Sequence, residues 1–181
     1  MSFSISLRLR RIARPALLAA ATLAAGAALA GHLNILLSAE LDGRQEVGTS
    51  GSNAIAGDPR GRGEAYVFGI DESRTVLCYS LQVSRIDELE LAPGNGRAAH
   101  IHRGQRGENG PVVANLAWPQ GGQAADCLNA VTQAARFNNV DVAAAQALIA
   151  DILANPEQYY INVHNTAYPG GAVRGQLRAA P

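Results

Sequence analysis

An all-β domain, a sandwich or barrel with one short crossover helix, is the fold class this sequence predicts, and three observations predict it. Short segments rich in β-branched and aromatic residues recur along the chain, set apart by Gly, Asn, Pro and Ser. Apolar and polar residues alternate within several of them, as in strands that cover a core on one face. Only one stretch, Val142 to Leu153, repeats its apolar residues at helical spacing.

Taken in order, Leu33 to Leu41 is short, apolar and strand-like, and Ser50 to Gly63 reads as a loop by its Gly, Ser, Asn and Pro content. Glu64 to Ile70 and Thr75 to Val83 follow as two strands joined by Asp71-Glu72-Ser73-Arg74, the pattern of a hairpin. In the second strand Leu77, Tyr79, Leu81 and Val83 alternate with Val76, Cys78, Ser80 and Gln82, which marks one face as the more apolar. Further strands are predicted at Ala98 to Arg103, Pro111 to Leu116, Tyr159 to His164 and Ala172 to Arg178. The helical stretch lines up Val142, Ala145, Leu148, Ile149, Ile152 and Leu153, with Asp141 as N-cap and Asn155-Pro156 as the stop.

The amino terminus is of another kind. Arg8, Arg10, Arg11 and Arg14 precede an uncharged run, Ala16 to Ala30, made largely of Ala and Leu. A basic region, then an apolar region of about 7–15 residues ending in small residues, is the pattern of a secretion signal. Ala28-Leu29-Ala30 supplies the small residues, so residues 1–30 are expected to be a signal peptide and 31–181 the working domain. The run is shorter than the roughly 20 apolar residues of a bilayer-spanning helix, so no transmembrane anchor is expected after processing. Arg10-Arg11 is followed by Ile12 and Ala13 and matches a twin-arginine signal weakly. The protein is therefore expected to be exported, to a periplasm or out of the cell.

Of 181 residues, 151 remain after such a cut, the size of one domain with a real core. The chain carries 15 basic and 15 acidic residues; four arginines leave with the leader, so 11 basic groups face 15 acidic ones, a net charge of −4. A nucleic-acid partner is disfavoured on that ground, because such binding rests on clustered cations that neutralise phosphates. The sequence identifies no protein partner. The isolated pair Cys78 and Cys127, without Cys-x-x-Cys spacing, is expected to form a structural disulfide in an oxidising compartment.

Four histidines occur, and three of them fall in predicted strands, in Ala98-Ala99-His100-Ile101-His102 and Tyr160-Ile161-Asn162-Val163-His164. Alternation puts His100 and His102 on one face with Ile101 on the other, and Tyr160, Asn162 and His164 opposite Ile161 and Val163. With the aliphatic residues in the core, all three imidazoles are expected on the outer surface of the barrel. Imidazole suits Cu, Zn, Fe or Ni, so His100, His102 and His164 are candidate ligands of a mononuclear metal. Their ring nitrogens should then converge to within about 4 Å, since each metal–nitrogen bond is about 2 Å. Water, Tyr160, Asn162 or a loop carboxylate remains open as the fourth ligand, and histidines that bind nothing are the competing reading. His32 reads as an unremarkable residue close to the expected new terminus.

Arg174 alternates with Val173 and so points away from the core, where its guanidinium is a candidate for drawing an anion toward a nearby cation; a surface arginine paired with a carboxylate is the alternative. Gly104, Gly107 and Gly110 read as turn glycines, because no helix follows to make a phosphate cradle. No Gly-x-Ser-x-Gly or free cysteine supplies a nucleophile.

The stretches Ala99-His100-Ile101-His102-Arg103-Gly104, Gly107-Glu108-Asn109-Gly110-Pro111-Val112-Val113, Tyr159-Tyr160-Ile161-Asn162-Val163-His164, Tyr168-Pro169-Gly170-Gly171 and Arg174-Gly175-Gln176-Leu177 closely resemble the CHRD domain, named for its occurrence in chordin. The resemblance covers about Leu33 to Arg178. It implies an immunoglobulin-like Greek-key β-sandwich or barrel and an extracytoplasmic setting, with no settled activity. It also implies a limited likeness to copper-zinc superoxide dismutases, which share a His-x-His strand, a later Val-His strand end and an arginine near the carboxyl terminus. His100, His102, His164 and Arg174 correspond to these in order, while a bridging histidine and a His-rich zinc loop have no counterpart. Two functions follow as expectations: a copper protein with redox or superoxide-related chemistry, or a metal-free binding and structural module.

Overall fold

The computed structural model describes residues 1, 35–48, 56–70, 73–86 and 98–181. The expected signal peptide, its cleavage site, His32, part of the 50–63 loop and the turn residues Asp71 and Glu72 lie outside the described residues. Nine strands and one α-helix are described: β1 (Leu36–Asp42), β2 (Arg62–Gly69), β3 (Val76–Ser84), β4 (Ala99–Arg103), β5 (Val112–Asn115), β6 (Gln123–Asn129), α1 (Val142–Ala154), β7 (Tyr159–Val163), β8 (Val173–Gln176) and β9 (Arg178–Ala179). All ladders are antiparallel, in the order β5-β4-β7-β8-β1-β2-β3-β6, with β9 beside β1. The all-β class is as the sequence predicts. Leu37 of β1, Leu77 of β3, Ile101 of β4, Leu128 of β6 and Ile161 of β7 share one core, so the sheet curls around its apolar face.

The chain does not simply meander. β1, β2 and β3 follow one another, but β4 and β5 join the far half of the sheet, beyond β7, and β6 returns to β3. That crossing makes β4 and β7 neighbours although about 60 residues separate them. α1 connects β6 to β7, as a crossover should. Asp141 caps it, its Oδ1 accepting from the Ala144 N–H at 2.7 Å. Ala145, Ile149 and Ile152 are its buried stripe, and burying each isoleucine stabilises by roughly 1.5–3 kcal/mol. Leu153 comes so close to β2 that a Cβ on Gly69 would lie 2.6 Å from its Cδ1, so a side chain there would push the leucine tip aside.

The predicted disulfide is present: Cys78 and Cys127 face each other in the β3–β6 ladder and are bonded. Its partner strand is the one the sequence reading missed. β6 reads Gln-Ala-Ala-Asp-Cys-Leu-Asn, with no β-branched or aromatic residue, and its pairing with β3 rather than propensity makes it a strand. Among the described residues no helix is long and apolar enough to cross a membrane.

Candidate metal centre

The β4–β7 register builds the site. Ala99 pairs with Val163, His100 with Asn162, Ile101 with Ile161 and His102 with Tyr160. Ala99, Ile101, Ile161 and Val163 belong to the core, so alternation sends His100, His102, Tyr160 and Asn162 to the opposite face. His164 stands one residue past β7, where its N–H bonds the Ala98 carbonyl at 2.7 Å and keeps the strand geometry going. Ring centroids lie 5.6 Å apart for His100 and His102, 5.1 Å for His100 and His164, and 6.3 Å for His102 and His164. One nitrogen from each ring falls within 4.8 Å of the other two, close enough for the three to hold a metal ion. That bound is looser than the about 4 Å a bound metal sets, so the rings must draw together to share one ion. Among the described residues no Cys, Asp or Glu joins this group.

The outer-surface expectation is corrected here. The histidines do face away from the core, yet they are 1%, 9% and 7% exposed in chain order, because loops fold over this face. One loop sets the Gly110 carbonyl 2.9 Å from His102 Nδ1, and another sets the Pro169 carbonyl 3.1 Å from His164 Nδ1. A carbonyl only accepts, so both Nδ1 atoms carry the hydrogen and both Nε2 atoms carry the lone pair. His102 Nε2 and His164 Nε2 are buried and make no hydrogen bond; His100 Nδ1 is buried as well. Burial pushes His102 down to about 4, against the Gly110 hydrogen bond, with His164 and Arg174 adding smaller downward contributions. Burial likewise lowers His164, opposed by its bond to Pro169. Both rings are therefore neutral, as metal-ligating imidazoles must be.

A family model for the CHRD domain matches residues 37–177. The chain belongs to that family. The match runs from within β1 to the residue after β8 and takes in all three clustered histidines. No curated protein and no solved structure matches the chain.

What braces the loop beside the cluster in this CHRD domain is Arg174 on β8, paired with Asn162 in the ladder. Though it faces away from the core, it is only 2% exposed. Its Nη2 donates to the carbonyls of Gln105 at 3.0 Å and Glu108 at 2.6 Å, and its Nη1 to Asn109 Oδ1 at 3.4 Å. The guanidinium carbon sits 3.4 Å from the Tyr160 ring centroid, and that ring stacks on His102 at 4.8 Å. Tyr160 also accepts from the Gly110 N–H at 3.2 Å. Arg174 thus holds the loop whose Gly110 carbonyl orients His102. Gly110 itself is obligatory, since a Cβ there would lie 1.6 Å from the Arg103 carbonyl oxygen. Of the three glycines read from the sequence as turn residues, Gly107 sits in the turn, at φ +84°.

Beside His102 lies a cavity of about 340 Å³. Asn162 lines it, 4% exposed, with Oδ1 buried and making no hydrogen bond. So does Glu46, which sequence reasoning did not single out. A lone acid between Gln45 and Val47 carries no local signal. What marks Glu46 is burial at 9% exposure, which no spacing rule foretells. A larger, more open hollow of about 530 Å³ lies elsewhere, among Glu40, Gln105, Arg106 and Gln176, and touches none of the histidines.

Proposed function

We propose that this chain is an exported CHRD-domain protein that binds one copper ion through His100, His102 and His164 and presents it to a small anion such as superoxide. The observation that carries the proposal is the pair of buried Nε2 lone pairs on His102 and His164, each unbonded and each belonging to the same cluster. A buried acceptor left unmade costs about 1–3 kcal/mol, and one cation on both lone pairs removes that cost. Imidazole suits copper, which heads the divalent affinity order, and no thiolate or carboxylate joins the cluster among the described residues. Hydrogen bonds from Nδ1 to backbone carbonyls are the outer support that metal-bound histidines use to fix tautomer and orientation. Arg174, expected to draw in an anion, adds its positive charge to the site, and we assign it the further role of positioning His102. Export agrees with the leader-like amino terminus and with the disulfide, which suits an oxidising compartment.

Metal analysis of protein recovered from its natural compartment tests this, with His100→Ala and His164→Ala alongside. One copper per chain, lost in both variants, is the expected result. Sub-stoichiometric metal indifferent to either substitution refutes the site and leaves a metal-free extracytoplasmic module.

A further inference from the structure

Glu46 is held by construction. A short 3-10 turn, Gly43–Gln45, precedes it, and its N–H bonds the Gly43 carbonyl at 3.3 Å. A Cβ on Gly57 would lie 2.5 Å from Glu46 Cγ, and a Cβ on Gly171 would lie 2.5 Å from each carboxyl oxygen. Gly171 also has φ +140°, a conformation side chains rarely adopt. These two glycines leave the room that the Glu46 side chain occupies. Within it Glu46 Oε1 is buried and makes no hydrogen bond, although it lines the same cavity as His102 and Asn162. An unused buried carboxyl oxygen and an unused buried amide oxygen in the lining of one cavity are costly for the fold alone and make sense where a ligand comes to meet them. Burial pushes the Glu46 carboxyl up to about 8, opposed by the charge of Arg174, so near neutrality it retains its proton.

We propose that Glu46 and Asn162 form the wall that binds a small anion of two or three heavy atoms in the cavity beside His102, Glu46 donating its O–H and Asn162 its amide N–H. This rests on the copper reading, which supplies the cation that draws the anion in. A neutral carboxyl does not repel the anion and offers it a donor, and a hydrogen bond to a charged acceptor is stronger than one between neutral groups. The Asn162 amide turns its nitrogen or its oxygen to the cavity with the same shape.

Azide is the probe, titrated into the copper-loaded protein and followed by its charge-transfer absorption, with copper content measured in every sample. Glu46→Ala is expected to keep its copper and to bind azide about tenfold more weakly or worse, a loss of about 1.4 kcal/mol. Glu46→Gln, which keeps a donor, should stay within about threefold of the parent protein. Asn162→Ala, expected to weaken azide severalfold, keeps the test open if Glu46→Ala does not fold. Equal azide affinity in the copper-loaded parent and alanine variants overturns this inference and spares the copper site. Tighter azide in both Glu46 variants also overturns it, since Glu46 would then be an ionised, repelling group. A parent protein without copper brings down the metal reading, and this inference with it.

Discussion

The two halves of the sheet obey the same alternation and use it differently. In β2 and β3 buried and exposed residues take turns, with Leu77, Tyr79, Leu81 and Val83 inside and Ser80, Gln82 and Ser84 in solvent. In β4, β7 and β8 nearly every residue is buried, yet the face turned from the core carries His100, His102, Tyr160, Asn162 and Arg174. The first half is a core wall braced by a covalent bond, Cys78–Cys127. The second is a polar layer between core and loops, braced by hydrogen bonds from Arg174 to the Glu108 carbonyl and from His102 and His164 to the Gly110 and Pro169 carbonyls. A sheet that buries polar side chains on its outer face gives up stability unless each is satisfied. The half that keeps unsatisfied nitrogens is the half in which we propose the binding site.

Substitutions that act on one half and spare the other sharpen this contrast. The largest effect on stability is expected at the disulfide: replacing Cys78 and Cys127 by Ala should destabilise by roughly 4 kcal/mol. In a domain of this size that lowers the melting temperature by about 8–16 °C, and copper stoichiometry should stay unchanged in the calorimetry samples. Loss of copper in that double variant would show that the two halves are not independent. Arg174→Lys is next. Lysine cannot bridge two carbonyls and stack on Tyr160 at once, so the loop over His102 loosens and copper affinity falls about 10–100-fold, measured by competition with a chelator. Unchanged affinity would mean that Gly110 is held without Arg174.

A smaller effect is expected from pH. In the metal-free protein the folded His102 value near 4 lies below its ordinary 6.5. The unfolded chain then binds the extra proton, and stability present above about pH 6.5 is lost as the pH falls toward 4. Glu46 works in the opposite sense. Its folded value near 8 lies above its ordinary 4.5, so its contribution is full below about pH 4.5 and is lost as the pH rises toward 8. Between about pH 4.5 and 6.5 the two slopes oppose each other, so urea denaturation from pH 4 to 9 should give a plateau there and a fall above it; Glu46→Gln should remove the fall above about pH 6.5 and leave stability rising from pH 4 to 6.5. An alkaline slope that persists in Glu46→Gln would show that another group causes it.

Much of this was legible in the residues. Alternation around Ile101 and around Ile161 and Val163 assigns the histidines to one face of adjoining strands, and Asp141 announces the start of α1. Two things escaped local reading. β6 is a strand because β3 and the disulfide hold it there, with only Ala, Leu and polar residues of its own. The loop that holds His102 depends on Arg174 reaching Gln105 and Glu108, more than 60 positions away in sequence, and the cavity wall beside His102 on Glu46 settling between Gly57 and Gly171. Periodicity reports which face a side chain takes; it carries no information on whether a distant loop will cover that face.

The central claim is that three imidazoles share one ion, and X-ray absorption at the copper edge of the loaded protein reads this directly. Three ring nitrogens at about 2.0 Å, with the outer-shell scattering of three imidazoles, is the predicted spectrum, falling to two in His164→Ala. A spectrum fitted by oxygen ligands alone, or unchanged by that substitution, would contradict it.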